Sequence, residues 1–338
     1  MSFQLGYACI NTTLQKQEKV MCNRGMIKRT FKARGISYAS ELALSNVTAL
    51  KRVIEWNNAN GIKVYRMTSC LFPWFSEYDM FDMPDIDQIA DTMAEAGEIA
   101  MSGGQRLSFH PGPFNVLASP SDGVVTKTIK ELDDHSAQMD LMGLPTSPMS
   151  KINIHVGGAY GEHDKALARF CANFKRLNPS TQARLTVEND DKPNLYSTKM
   201  LVEGVSKHTG VPVVFDSHHH ELGPQDVDYQ EAFYMARQTW DARNAKQQCH
   251  HSNSRKNYED PTVSRVAHSD WYYTPFENFG ESVDVVLECK QKELALIKYQ
   301  RDFLLKQKAT VHSIHQPICA HELAPSDINL THPPTAGI

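Results

Sequence analysis

The sequence has no apolar run approaching ~18 residues, so no membrane-spanning helix is expected. The opening segment MSFQLGYACINTT lacks a basic stretch followed by an apolar one, and export is not expected either. No CxxC pair occurs. The seven cysteines (9, 22, 70, 171, 249, 289 and 319) are odd in number and scattered, which argues against a disulfide framework and against a thiolate zinc site. A reducing compartment fits best: the cytoplasm, or the nucleus of a eukaryotic host. Neither GxGxxG nor GxxxxGK[ST] is present, so a nucleotide cofactor is not expected.

The 338 residues are 41% hydrophobic and 22% charged, which excludes a disordered or collagen-like chain. The net charge of -4 conceals an uneven distribution. Residues 1–66 carry 11 Lys and Arg against 3 Asp and Glu, whereas residues 67–104 carry eight acids and no Lys or Arg. A basic lobe on an acidic body attracts an anionic polymer locally. Charge alone is equally compatible with a solvated segregation that has no partner.

Short β-rich runs alternate with amphipathic stretches. The strand candidates are Phe3–Cys9, Lys63–Thr68, Arg106–His110, Lys151–His155, Arg184–Glu188, Val211–Asp216, Gln247–His251 and Val283–Glu288. Helical patterns cover Asn46–Asn60, Asp85–Met101, Val124–Met142, Tyr196–His208 and Asp228–Arg243. Repeated strand-plus-helix units predict an α/β fold, a single (β/α)8 TIM-type barrel over residues 1–308; a doubly wound open sheet is the alternative. Residues 309–338 are rich in Pro, His and Ser and read as a flexible tail. Its four histidines (312, 315, 321 and 332) are expected to be solvated rather than to form a site.

The chemistry lies at the strand ends. Six successive strands finish in His110, His155, Glu188, Asp216 (followed by His218, His219 and His220), His250 with His251, and Glu288. In a parallel barrel these ends share one face, where active sites are built. One histidine at a strand end is usually a core histidine with its bonds made; six metal-competent ends in succession are not explained that way. Imidazole and carboxylate donors without thiolate suit Mn2+, Zn2+ or Fe2+, and so many donors imply two or three ions. Clustered divalent ions are the usual machinery of phosphodiester hydrolysis.

The loops around these ends read LGYACIN, SFHPGPFN, NIHVGGAYGEHDKALARF, LTVENDDK and VVFDSHHH, joined by Ala267-His268 and LECKQKE at Leu287–Glu293. Together, from about Gln4 to about Arg301, they resemble the UV-damage endonuclease family. The resemblance implies a metal-dependent DNA repair enzyme, related in fold to endonuclease IV and the sugar-isomerase barrels. Such an enzyme nicks duplex DNA immediately 5′ to pyrimidine dimers, 6-4 photoproducts and related lesions, abasic sites included, by metal-activated water. Mn2+ is the implied ion, with Zn2+ or Mg2+ as alternatives. The implied ligands are His110, His155, Glu188, Asp216, His219, His250, His268 and Glu288. His218 and His220 flank a ligand, and at least one is expected to support it or to touch a phosphate. Glu188 or Glu288, bridging two ions, is also expected to help orient the attacking water.

The loop Pro111–Asn115 corresponds to the family's lesion probe, with Pro113-Phe114 where some members carry Gln-Tyr. Phe114 is expected to act as an apolar wedge, the alternative being a ring packed on the barrel rim. Tyr7 and Asn11 match positions that face DNA, and Arg24, Lys28, Arg29, Lys32 and Arg34 are expected to track phosphates. Lys290, two residues beyond Glu288, would point the same way from a strand and is a candidate for stabilising a phosphate, the alternative being an ordinary lysine paired with an acid. Two departures stand out: Cys70 replaces a histidine ligand of some relatives, and Gln248 replaces a lysine. A third ion is therefore expected to be weaker, differently held or absent, with Cys70 a buried inert thiol or, as the alternative, a soft zinc ligand. A monomer acting on damaged duplex DNA is expected. The rival readings are a divalent-metal sugar isomerase or epimerase and a non-catalytic lesion-binding protein.

Overall fold

The computed structural model describes residues 3–305. All eight expected strands form, each shorter than its apolar pattern: β1 Gln4–Ala8, β2 Val64–Arg66, β3 Arg106–Ser108, β4 Ile152–Ile154, β5 Leu185–Glu188, β6 Val213–Val214, β7 Gln248–His251 and β8 Asp284–Leu287. They make an α/β fold with parallel strands throughout, in sheets ordered β3-β2-β1-β8-β7 and β4-β5-β6. Isolated parallel bridges, Phe109 with Ile152 and Asp216 with His250, link the edges of the two sheets. Residues of β5 and β8 are buried on both faces, as expected of parallel strands covered by helices.

Around the strands run α1 Thr12–Glu18, α2 Lys28–Ala59, α3 Ile86–Ser102 and α4 Asp122–Leu141. In α3 the buried stripe Ile89, Met93, Ala96, Gly97 and Ala100 follows the helical repeat and turns one face to the core. The second helix starts well before the expected Asn46. Its first turns, rich in Lys and Arg, bury no residue before Ala39 and are broken at Gly35, whose φ of 65° only glycine adopts freely. Lys28, Arg29, Lys32 and Arg34 are all exposed there, as is Arg24 in the segment before the helix. The expected helix over Tyr196–His208 appears as Thr198–Thr209, with a π-helical turn at Val202–Ser206.

A helix not foreseen, Ser217–Leu222, starts immediately after β6. Asp216 caps it, Oδ1 accepting from the backbone N–H groups of His218 at 2.8 Å and His219 at 2.9 Å. By contacts the chain divides into Met1–Tyr299 and Gln300–Ile338; of the second unit only the π-helical Gln300–Leu305 is described. The boundary expected at 308–309 and the tail beyond it lie outside the described residues. No described helix is long and apolar enough to cross a membrane.

Candidate metal centre

Every strand from β3 to β8 ends on the same side of the molecule, because each strand pairing and both bridges between the sheets are parallel. The side chains at those ends therefore meet. Glu188, wholly buried on the last residue of β5, is the hub. Its Oε2 lies 3.2 Å from Nε2 of His110 and 3.0 Å from Nδ1 of His250, and its Oε1 lies 3.2 Å from Nδ1 of His219. Glu288 Oε1 reaches Nδ1 of His250 at 3.3 Å, and its Oε2 lies 3.9 Å from Nδ1 of His268. The rings of His155 and His219 stand 5.4 Å apart, and those of His110 and His155 5.5 Å.

Three donor triplets result, each with its ligand atoms within 4.8 Å of one another: His110, Glu188 and His250; His155, Glu188 and His219; Asp216, His250 and Glu288. Seven of the eight residues singled out as ligands fall in these triplets. The eighth, His268, joins through Glu288 and packs its ring 5.5 Å from that of His218.

The donor set fits divalent cations by an observation independent of residue type. Asp216 Oδ2 and both ring nitrogens of His218 are buried with no hydrogen-bond partner among the described residues. Leaving such groups unpaired in an interior is costly, and a cation removes that cost. The titration behaviour agrees. Burial opposes ionisation of Glu188, but His250, His110 and His219 outweigh it and hold the carboxyl well below the usual range. Asp216 is pushed up to about 7 by burial and by the charges of Glu188 and Glu288, against His219. Burial brings His250 down to about 4, leaving the ring neutral, the form that ligates.

Three contacts in the bowl escaped the sequence reading. Arg66 of β2 is ion-paired with Glu288. Asn153 donates from Nδ2 to Glu188 Oε2. Lys151, fully buried, lies with Nζ 3.0 Å from Nε2 of His250, and burial lowers it to about 7. The missed signal was alternation: Lys151, Asn153 and His155 are two residues apart and so share a face of β4. Gln248 is buried with both amide atoms unpaired among the described residues, facing the same interior as His250.

The remaining candidates are placed differently. Phe114 is 88% exposed, so the rim-packing alternative does not hold, and Pro113 is exposed beside it. Their loop is anchored by Asn115, whose Nδ2 donates to Gly112 O at 3.1 Å and to Glu131 Oε1 at 2.8 Å. Tyr7 and Asn11 are buried and bonded inward: Tyr7 donates to Asn57 Oδ1 at 2.8 Å, and Asn11 donates to the Tyr7 hydroxyl at 2.9 Å and caps α1. Lys290 does not point as alternation predicts. β8 ends at Leu287, so alternation does not carry through to Lys290, whose side chain is exposed in a turn. Cys70, expected to be buried, is exposed in the turn after β2, while Asn46 holds the backbone carbonyls of Cys70 and Leu71. Of the flanking histidines, His218 faces His268, whereas His220 packs against Phe215 and Tyr229. A cavity of about 530 Å3 opens beside His155 and His219, lined also by Pro113, Gly157, Lys192 and Asn194.

Comparison with known proteins points the same way. The family described as UV-endonuclease UvdE matches residues 3–319. A UV-damage endonuclease of Schizosaccharomyces pombe is 32% identical over 316 residues, covering 90% of this chain and 51% of that protein. The chain thus spans about half the length of that relative. A UV DNA damage endonuclease of Bacillus mycoides is 30% identical over 265 residues, covering 76% of this chain and 80% of the relative. The crystal structure of SacUVDE superposes with a TM-score of 0.77 at 27% identity, covering 91% of this chain and 99% of that one.

Proposed function

The chain belongs to the UV-endonuclease UvdE family, and from that premise we propose that it is a DNA repair endonuclease incising duplex DNA immediately 5′ to UV photoproducts and at abasic sites. The observation that carries this reading is the convergence of seven further imidazole and carboxylate side chains with Glu188, from the ends of strands β3 to β8 and the segments that follow them. We read the eight strands as a closed (β/α)8 barrel, supported by the two parallel bridges between the sheets.

Two or three divalent cations, Mn2+ foremost, would be held by His110, His155, Glu188, Asp216, His219, His250, His268 and Glu288. Bound there, they would supply Lewis acidity to the phosphate oxygens and lower the pKa of water. The chain's own residues do the rest. The exposed Arg24, Lys28, Arg29, Lys32 and Arg34 contact backbone phosphates on either side of the lesion. Phe114, on its anchored loop, enters the stack where damage has weakened it and fills the space as the lesion turns out. Glu188 and Glu288 accept hydrogen bonds from the attacking water and aim it at phosphorus, and Lys290 neutralises a phosphate oxygen. Water adds to phosphorus and the 3′ oxygen leaves, giving a 3′-hydroxyl and a 5′-phosphate. The enzyme acts as a monomer, in the nucleoid or the nucleus.

The test is incubation of an end-labelled, UV-irradiated duplex with the protein and Mn2+, with and without EDTA. A chelator-sensitive nick directly 5′ to the dimer is expected. Binding without cleavage would return the protein to a lesion-binding role, and neither binding nor cleavage would favour sugar chemistry.

A further inference from the structure

Three consecutive residues, Glu188, Asn189 and Asp190, close β5, and only the first has a part in the chemistry above. The other two are buried, the Asn189 side chain hydrogen-bonded to Asp216 and the Asp190 carboxylate paired with His155. Asp190 Oδ1 lies 3.1 Å from Nδ1 of His155, and the backbone of Asp190 is itself clamped by Tyr196, its N–H donating to Tyr196 O at 2.9 Å. The Asn189 side chain pairs with the backbone of Asp216 in both directions: Oδ1 accepts from Asp216 N–H at 2.9 Å and Nδ2 donates to Asp216 O at 3.0 Å. The Asn189 carbonyl accepts from Nδ1 of His219 at 2.9 Å, with Glu188 Oε1 3.2 Å from the same nitrogen.

We propose that Asn189 and Asp190 are positioning residues that orient His155 and His219 toward the cation that Glu188 helps to bind, and Asp216 toward the one it would share with His250 and Glu288. An acceptor on Nδ1 fixes the proton there and leaves Nε2 as the bare donor atom. Asp190 does this for His155, and the Asn189 carbonyl does it for His219. The side-chain amide of Asn189 also extends the β5–β6 pairing past Val214, where the ladder ends, and so holds Asp216 in register. One tripeptide thus supplies a ligand and sets three more, drawn from both flanking strands. The inference rests on reading the cluster as a cation site.

The test uses the full chain stripped with a chelator. Mn2+ binding is measured by titration calorimetry for the wild type, Asp190→Ala and Asp190→Asn, with melting curves alongside. Asp190→Ala is expected to weaken Mn2+ binding by about 10- to 100-fold, and Asp190→Asn, which keeps an acceptor oxygen, by less. Folded Asp190→Ala that binds Mn2+ within about twofold of wild type would overturn the positioning role. A wild type that binds no Mn2+ would overturn the cation reading itself, so the two failures are distinguishable. A second measurement needs no variant: imidazole nitrogen NMR of the stripped wild type, at a pH where the ring is neutral. His155 should carry its proton on Nδ1, and a ring protonated on Nε2 instead would sink the inference.

Discussion

Glu188 Oε2 lies 3.0 Å from Nδ1 of His250, the closest of several imidazole contacts this one buried carboxylate makes, the others coming from the end of β3 and the helix after β6. A neutral amide of the same shape cannot replace it, because its nitrogen would face donors and its charge would be gone. Glu188→Gln is expected to lower Mn2+-dependent incision by more than about 100-fold, since even outer contacts to a metal site are worth 10- to 100-fold. Binding to irradiated duplex, followed by fluorescence anisotropy, should stay close to wild type, because the phosphate-tracking residues are remote in the chain. Retained cleavage would remove Glu188 from its central role.

Phe114 has no packing to lose. Its ring is 88% exposed, while the loop beneath is fixed by Asn115. Phe114→Ala should therefore leave stability within about 0.5 kcal/mol of wild type. Its effect should appear in the ratio of affinities for damaged and intact duplex, which is expected to fall by about 10-fold, the low end of what a stacked aromatic contributes. An unchanged ratio would mean that the ring takes no part in recognising the lesion.

The strands and the donor cluster were legible in the sequence for one reason. Parallel strands buried on both faces read as short apolar runs, so an ionisable residue closing such a run stands out, as His110, His155 and Glu188 do. What was not legible depends on contacts between strands. Lys151 is an ordinary lysine in KINIH until β4 is set against β7, where it meets His250. Tyr7 and Asn11 look equally available in LGYACIN, yet Asn57 from α2 draws them inward. Cys70 looked like a residue to bury, and the turn after β2 exposes it. The helix at Ser217 is hidden in the sequence because its cap, Asp216, also closes the apolar run of β6.

Two glycines on neighbouring helices should respond to alanine with opposite signs. In α3 a Cβ at Gly97 would stand 1.8 Å from the backbone oxygen of Met142, which neither a rotamer change nor a small shift relieves. Alanine gains about 1 kcal/mol of helix propensity there, but pushing α3 off the end of α4 costs more, so Gly97→Ala should lower stability by a net ~1–2 kcal/mol. In α4 a Cβ at Gly123 meets only Ser121 Oγ, at 4.0 Å. Gly123→Ala should raise stability by about 0.5–1 kcal/mol. Urea unfolding of both variants decides it, and a loss at Gly123 or a gain at Gly97 would contradict the packing.

His135 offers a pH signature outside the candidate metal centre. It is fully buried on α4, between the edges of Phe75 and Phe109, with Nδ1 donating to Glu131 O at 2.7 Å. Burial pushes it down to about 4 in the folded protein, against an ordinary value near 6.5. Above about pH 6.5 the ring is neutral in both states and contributes no slope. As pH falls from there toward 4, the unfolded chain takes up a proton that the folded one refuses, and stability drops with it. His135→Phe keeps the edge contacts and removes the titration. Between pH 7 and pH 5 the stability gap between wild type and variant should move by about 2 kcal/mol in favour of the variant. The comparison cancels the other histidines, which titrate alike in both proteins. A gap that stays constant across that range would mean His135 is protonated as readily in the fold as out of it.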